Sequence, residues 1–252
     1  MEKIIIITQA RVGSSRLPSK VLLPLAGDTL LGIHLKRLKK SKLASSVEVA
    51  TTFEDKADQI VSIAKQNGVK YFQGSMENVL DRFYQAVKFK KPDYIVRVTS
   101  DCPLIDGSLI DRIISMAIKN KLDYCSNTLI ERFPDGQDIE VISWNAFKYT
   151  WEHAKTNLQL EHVTPFIREN TNFNGEKLFS SMNFECENDY NHIRMTVDEP
   201  DDFKAIELLI SDLGANQNWK TYTEYIINNP EKFLNQQIQR NEGYLRSKNQ
   251  NL

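Results

Sequence analysis

The sequence predicts an α/β protein built on a parallel sheet, organised as one domain with an inserted lobe. Three observations carry that prediction. Short β-branched runs alternate with helical-period segments through the first half of the chain, polar loops follow the strands, and neither an internal repeat nor a flexible linker divides the 252 residues. Strands alternating with helices of about ten or more residues imply right-handed βαβ units.

Lys3 to Thr8 is β-branched and of strand length. A polar loop, Gln9 to Lys20, follows it. Leu30, Leu31, Ile33, Leu35 and Leu38 then recur at helical spacing. Val47–Thr51 is the next strand, and Asp55–Asn67 a helix with Gly68 at its stop. Val69–Phe72, a helix over Glu77–Phe89, the strand Tyr94–Val98 and a helix over Asp111–Lys119 complete the alternation.

The second half is less regular. Tyr124–Ser126 and Ile139–Ile142 are predicted strands around a turn at Phe133-Pro134-Asp135-Gly136. Asn145–Lys155 and Glu161–Glu169 are predicted helices, and Phe179–Met182 and His192–Val197 predicted strands. A helix over Asp201–Leu213 stops at Gly214, and a helical tail with packed aromatic residues occupies 215–252.

Composition bounds the function. With 32 basic against 33 acidic residues the net charge is −1, so no global field selects nucleic acid or an anionic membrane. Any anion site must be local. The longest wholly apolar run, Ile4 to Ile7, falls far short of the roughly 20 residues of a membrane span. The start of the sequence lacks the pattern of an export signal, and Cys102, Cys125 and Cys186 form no CxxC pair. Together these imply reduced thiols and a cytoplasmic protein.

Parallel sheets bind ligands beyond the carboxyl ends of their strands. The loops to search are therefore Gln9–Lys20, Gln73–Glu77 and Thr99–Pro103. The first holds Arg11, Arg16 and Lys20 with Gly13, Ser14, Ser15 and Ser19. Such a loop suits a polyphosphate: Gly13 permits close backbone approach, neighbouring N–H groups can face anionic oxygens, and the cations supply charge-assisted hydrogen bonds. It is neither a Walker A loop nor GxGxxG. A solvated basic turn is the alternative on composition alone.

Asp101 and Asp198 each follow a predicted strand, and together they could hold a magnesium ion with substrate phosphates. Singly, each could instead cap a helix, Asp198 especially because Pro200 suits a first helical position. Ser75 and Asn78 could reach a base or ribose, or cap the helix after them. Asp135, Asp138 and Glu140 are either solvated acids of a turn or acceptor contacts. Glu161-His162 is a candidate base or acceptor ligand, while His34, His153 and His192 read as structural.

Ala10-Arg11-x-Gly13-Ser14-x-Arg16-Leu17-Pro18-x-Lys20 resembles the signature loop of the CMP-sugar-acid synthetases, the Kdo and acylneuraminate cytidylyltransferases. Within that group the chain is most similar to the spore coat polysaccharide biosynthesis protein F (SpsF) branch. Further matches are Val49-Ala50-Thr51-Thr52, Gly74-Ser75-x-x-Asn78-Val79-Leu80-x-Arg82 and Arg97-x-Thr99-x-Asp101-Cys102-Pro103-Leu104-Ile105-Asp106. Ser126-Asn127-Thr128, Pro134-Asp135-Gly136-x-Asp138-x-Glu140 and Glu161-His162-Val163-Thr164-Pro165 continue the series. Arg194-x-Thr196-Val197-Asp198 and Asn241-Glu242-Gly243-Tyr244 complete it.

The resemblance implies a nucleotide-diphospho-sugar transferase (Rossmann-like) fold, with a mixed, mainly parallel sheet between helices. It places an acceptor and dimerisation lobe at about 124–192. It also implies CTP as donor, Mg2+ as cofactor, a homodimer and a role in surface polysaccharide biosynthesis. By position, Arg11, Lys20, Asp101 and Asp198 are catalytic, and Asp101 and Asp198 hold the metal. The nucleotide contacts are Ala10, Arg11, Gly13, Ser14, Arg16, Lys20, Gly74, Ser75, Asn78, Arg82 and Ser100. Acceptor contacts fall on Asp138, Glu140, Glu161, His162 and Arg194. One departure is Thr99-Ser100-Asp101, where relatives commonly carry Thr-Gly-Asp. A glycosyltransferase with a GT-A-like fold and a non-catalytic partner subunit remain the alternatives. No DxD triplet near the fourth strand supports the former, and every charged site position is filled, against the latter.

Overall fold

The computed structural model describes residues 2–14 and 16–240. Met1, Ser15 and residues 241–252, which include the Asn241–Tyr244 match and the end of the predicted tail, lie outside the described residues.

Strand β1 (Ile4–Gln9) sits centrally, parallel to both β4 (Ser46–Thr51) and β6 (Tyr94–Thr99). Its four isoleucines show why the run is apolar throughout. Ile4 and Ile6 enter one core with helices α1 (Leu30–Leu38), α2 (Ala57–Gln66) and α4 (Gly107–Lys119). Ile5 and Ile7 enter the opposite core with α3 (Val79–Val87) and α5 (Trp144–His153). The period-two alternation of a strand thus fills both faces of the sheet.

The seven-stranded order is β5-β4-β1-β6-β8-β7-β9, with β5 at Lys70–Gln73, β7 at Tyr124–Ser126, β8 at Glu140–Ser143 and β9 at Ser181–Asn183. Strand β8 runs antiparallel to its neighbours β6 and β7. The other pairings in this sheet are parallel. The chain builds outward from β1 to β4 and β5, then crosses to β6 on the other side. A crevice for ligand opens at such a reversal.

Several predicted boundaries move. A short hairpin, β2 (Pro24–Leu25) with β3 (Asp28–Thr29), was not expected; Ala26 and Gly27, both at positive φ, make its turn. Helix α4 begins at Gly107 rather than Asp111, because Asp106 caps it by accepting from the Ser108 and Leu109 N–H groups. The predicted helix Glu161–Glu169 is two pieces, α6 (Asn157–His162) and α7 (Pro165–Glu169). Val163 at φ 71 breaks it, and Pro165, lacking an N–H, restarts it.

The predicted strand His192–Val197 is extended but forms only an isolated bridge, Asp135 with Arg194. Its backbone groups pair with irregular partners. Met195 N donates to Asp135 O at 2.7 Å, and Val197 N to Asp101 O at 2.8 Å. Gly136 is required there: a Cβ on it would stand 2.7 Å from the Met195 carbonyl carbon. This segment then enters α8 (Pro200–Leu213), whose capping box joins Glu199 and Asp202. Helices α8 and α9 (Trp219–Asn228) close a third core over Ile193, Met195 and Val197.

Candidate active site

Register brings the predicted loops together. Gln9 pairs beside Thr99 across β1 and β6, so the loop ending at Lys20 and the turn carrying Asp101 emerge side by side. The Val197–Asp101 backbone bond delivers Asp198 to the same point. Lys20 opens a 3-10 turn over Lys20–Leu22. Its Nζ donates to Asp101 Oδ2 at 2.9 Å, Asp198 Oδ1 at 2.8 Å and the Val197 carbonyl at 2.8 Å. All three ammonium protons are thereby used. Arg16 adds a 2.9 Å ion pair to Asp198.

Burial opposes ionisation of Asp101, yet the Lys20 ammonium and the Thr99 hydroxyl outweigh it and hold the carboxyl well below its usual range. Burial likewise opposes charge on Lys20, and Asp101 and Asp198 reverse that, raising its pKa. Both sites stay charged at neutral pH.

The donor set fits a hard divalent cation. A positive charge, the Lys20 ammonium, already lies between the two carboxylates. Among the described residues no group of three or more His, Cys, Asp or Glu could hold a metal. Two carboxylates alone match magnesium, which takes its other ligands from water and substrate phosphates. Cys102 is buried and its thiol is pushed well up, first by burial and then by Asp101, so it offers no thiolate.

Around this cluster lies a cleft of about 1340 Å³, larger than a single small-ligand pocket and roomy enough for two substrates. Arg11, Gly13, Ser14, Arg16, Ser75, Asn78, Arg82 and Ser100 line it, as do Asp138, Glu140, Glu161 and His162. Ala10 and Gly74 do not. Ala10 N is spent on the Ala50 carbonyl at 3.1 Å, and Gly74 packs on Phe72 and Arg82.

Arg11 is exposed and carries no ion pair among the described residues. Among the other lining residues, Asn78 caps α3 by accepting from Asp81 N, and Ser75 Oγ accepts from Asn78 N. The capping alternative therefore describes how both are held. Arg82, 1% exposed, donates to Ser75 O at 2.6 Å and Gln9 Oε1 at 3.2 Å, and its Nε has no partner.

Arg194 was expected among the acceptor contacts. It does not line the cleft. Its Nε donates to Asp202 at 2.8 Å, Nη1 to Asp135 at 2.7 Å, and Nη2 to Asp198 at 3.3 Å and Asp202 at 2.9 Å. Four of the five guanidinium N–H donors are thus spent on carboxylates, and one of these bonds orients Asp198.

Of the alternating acids after the Pro134 turn, Asp135 and Glu140 are buried and Asp138 is part-exposed. Each meets an arginine: Asp135 meets Arg194, Asp138 meets Arg240 at 2.5 Å, and Glu140 meets Arg97. Burial and the nearby Asp138 push the Asp135 carboxyl up to about 7 despite its arginine partners. Burial acts against ionised Glu140, but Arg97 and Arg168 win and hold it low, while Tyr124 OH donates to it at 2.5 Å.

His162 Nε2 lies 3.9 Å from the Glu161 carboxylate. Burial first, then Arg97 and Arg11, depress its pKa against Glu161, so the ring is neutral at pH 7.

Glu54, absent from the expected site, binds the cation-rich loop. Its Oε1 accepts from Val12 N at 2.7 Å and its Oε2 from Gly13 N at 2.9 Å. The N–H pair expected to face a ligand's anionic oxygens thus faces the chain's own carboxylate. Position after β4 was the available signal, since that strand also ends at the ligand edge of the sheet. Arg97 and Arg168, which also line the cleft, were missed because a strand and a helix conceal their direction.

A family model described as Cytidylyltransferase matches residues 5–233. The uncharacterized protein MJ1063 of Methanocaldococcus jannaschii is 44% identical over 204 residues, covering 80% of this chain and 81% of that one. The spore coat polysaccharide biosynthesis protein SpsF of Bacillus subtilis is 33% identical over 221 residues, covering 85% and 89%. A solved cytidylyltransferase from Leptospira borgpetersenii superposes with a TM-score of 0.88 at 33% identity, over 95% of this chain and all of that one. Signature loop, sheet order and these relatives agree: the chain belongs to the cytidylyltransferase family.

Proposed function

We propose that this protein transfers CMP from CTP to a sugar acid or a small phosphorylated acceptor, releasing pyrophosphate, in surface polysaccharide biosynthesis. The carrying observation is the meeting of Lys20, Asp101 and Asp198 in the wall of a cleft that Arg11 and Arg16 also line. Family membership supports CTP, and the likeness to SpsF supports the pathway.

An acceptor oxygen attacks the α-phosphorus, forming the new P–O bond as the bond to the β-phosphate oxygen breaks. Pyrophosphate leaves with the electron pair. Asp101 and Asp198 would hold Mg2+, which supplies charge neutralisation on the phosphates. Lys20, Arg11 and Arg16 stabilise the negative charge that grows on the departing pyrophosphate. Asn78, Ser75 and Arg82 line the nucleoside end. On the acceptor side, neutral His162 with Glu161 accepts the proton of a hydroxyl acceptor; an ionised phosphate acceptor needs no base. Arg194 keeps Asp198 aimed at the cluster. The working form is a cytoplasmic homodimer.

A pyrophosphate-release screen with CTP and Mg2+ against sugar acids and small phosphorylated acceptors tests the reading. Release with one acceptor class supports it. Absence of release together with absence of a CTP-dependent thermal shift overturns it in favour of a non-catalytic subunit.

A further inference from the structure

Past Ala10, whose N–H makes the last rung to β4, the cation-rich loop leaves the sheet. Its far portion is fastened at two peptide N–H groups, those of Val12 and Gly13, and both end on the Glu54 carboxylate. That carboxylate is itself fixed. Thr52 Oγ1 donates to Glu54 Oε1 at 2.9 Å, Ala57 N to Glu54 O at 3.1 Å, and Gln73 Nε2 to Thr52 O at 3.0 Å. Thr52 is fully buried. Ser19 N, donating to Val12 O at 3.1 Å, then draws the two limbs of the loop together. Glu54 does not line the cleft, whereas Arg11, Gly13, Ser14 and Arg16 do. The carboxylate therefore grips the loop from outside the cleft.

We propose that Glu54 is the positioning residue for the nucleotide's triphosphate: it fixes the loop so that Arg11, Ser14 and Arg16 converge on the phosphates without touching the ligand itself. This rests on the cytidylyltransferase reading and extends it to a residue outside the signature loop. Gly13 belongs to the same device. A Cβ there would stand 2.9 Å from Glu54 Oε2, so a side chain at position 13 displaces the grip. Preorganisation of this kind lowers the cost of ordering charged side chains at binding.

The experiment measures dissociation constants for CTP and for CMP, both with Mg2+, by calorimetry on the full chain and on Glu54→Ala, Glu54→Gln, Gly13→Ala and Glu54→Ala/Gly13→Ala. Loss of two charge-assisted bonds weakens CTP binding about tenfold in Glu54→Ala, with CMP affinity little changed. Glu54→Gln, retaining one acceptor oxygen, falls between, and the double variant loses no more than Glu54→Ala. A CTP-to-CMP affinity ratio that stays at the wild-type value in all folded variants, additive losses in the double variant, or tighter CTP binding by Glu54→Ala each overturns the proposal. The last would make the carboxylate a competitor of the phosphates. Wild-type protein that binds no CTP overturns both this proposal and the reading beneath it. Normal CTP binding with an unmoved ratio overturns this one alone.

Discussion

The Lys20 ammonium and the Asp198 carboxylate, 178 positions apart in the chain, meet at 2.8 Å. Asp101 takes the same ammonium from the other side at 2.9 Å, and the Val197 carbonyl takes its third proton. A divalent ion entering between these carboxylates must displace a fully bonded lysine. A triphosphate offers that lysine new oxygens. Metal without nucleotide therefore meets a site already neutralised.

Lys20→Met should accordingly raise the affinity of the nucleotide-free protein for Mn2+ by about tenfold or more while weakening CTP binding. Titration followed by electron paramagnetic resonance reads the free ion directly. Equal Mn2+ affinity in both proteins would show that the lysine does not compete.

Asp101→Asn keeps the volume of the side chain and removes its charge. The proposed mechanism expects a loss of roughly 10²–10³-fold in pyrophosphate release, with circular dichroism and melting temperature near wild type. Release at an undiminished rate removes Asp101 from the chemistry.

The core of this site was legible because its signals are local. A strand ending at Gln9, a cation-rich loop and an Asp just past Thr99 each announce themselves within a few residues. Arg194 was less legible for the opposite reason. Its place beside Thr196 and Asp198 reads the same whether its guanidinium points into the cleft or back toward Asp202. Only the lacing of the 192–197 segment between Asp135 and Asp101 decides that. Glu54 was harder to find: its place after β4 marks only the ligand edge of the sheet, and its role depends on a contact 41 to 42 positions away. The parallel run of the sheet was similarly legible through the βαβ half. It blurred where β7, β8 and β9 shorten to three or four residues and length no longer separates strand from loop.

Among the described residues Arg194 is the one cationic partner of Asp202, whose side chain is wholly buried. Arg194→Met leaves that charge without its cation and leaves Asp135 with Arg240 alone. Removing one partner from a buried pair costs about 3–5 kcal/mol, and urea unfolding at neutral pH measures it. Arg194→Met combined with Asp202→Asn should recover part of the loss, because the stranded charge is gone. A double variant no more stable than the single one would place the cost in packing instead.

His34 sets a pH limit on stability. The ring is completely buried; its Nδ1 lies 2.9 Å from the Cys102 carbonyl and Nε2 lies 3.0 Å from the Thr8 hydroxyl. A carbonyl only accepts, so the proton is on Nδ1 and Nε2 accepts from Thr8. Burial, with Arg37 adding to it, lowers the pKa to about 4 against the pull of the Cys102 carbonyl and Asp101. The unfolded chain therefore binds a proton that the folded one refuses between pH 6.5 and 4. Stability from this residue is complete above the first value and falls by about 3 kcal/mol across the window. Asp135, its carboxyl raised to about 7, works in the opposite sense, gaining stability as pH falls. The difference between wild type and His34→Gln isolates the histidine. Wild type should lose stability relative to His34→Gln as urea melts move from pH 7 to pH 4.5. A constant difference between the two proteins over that range would mean the buried ring titrates normally.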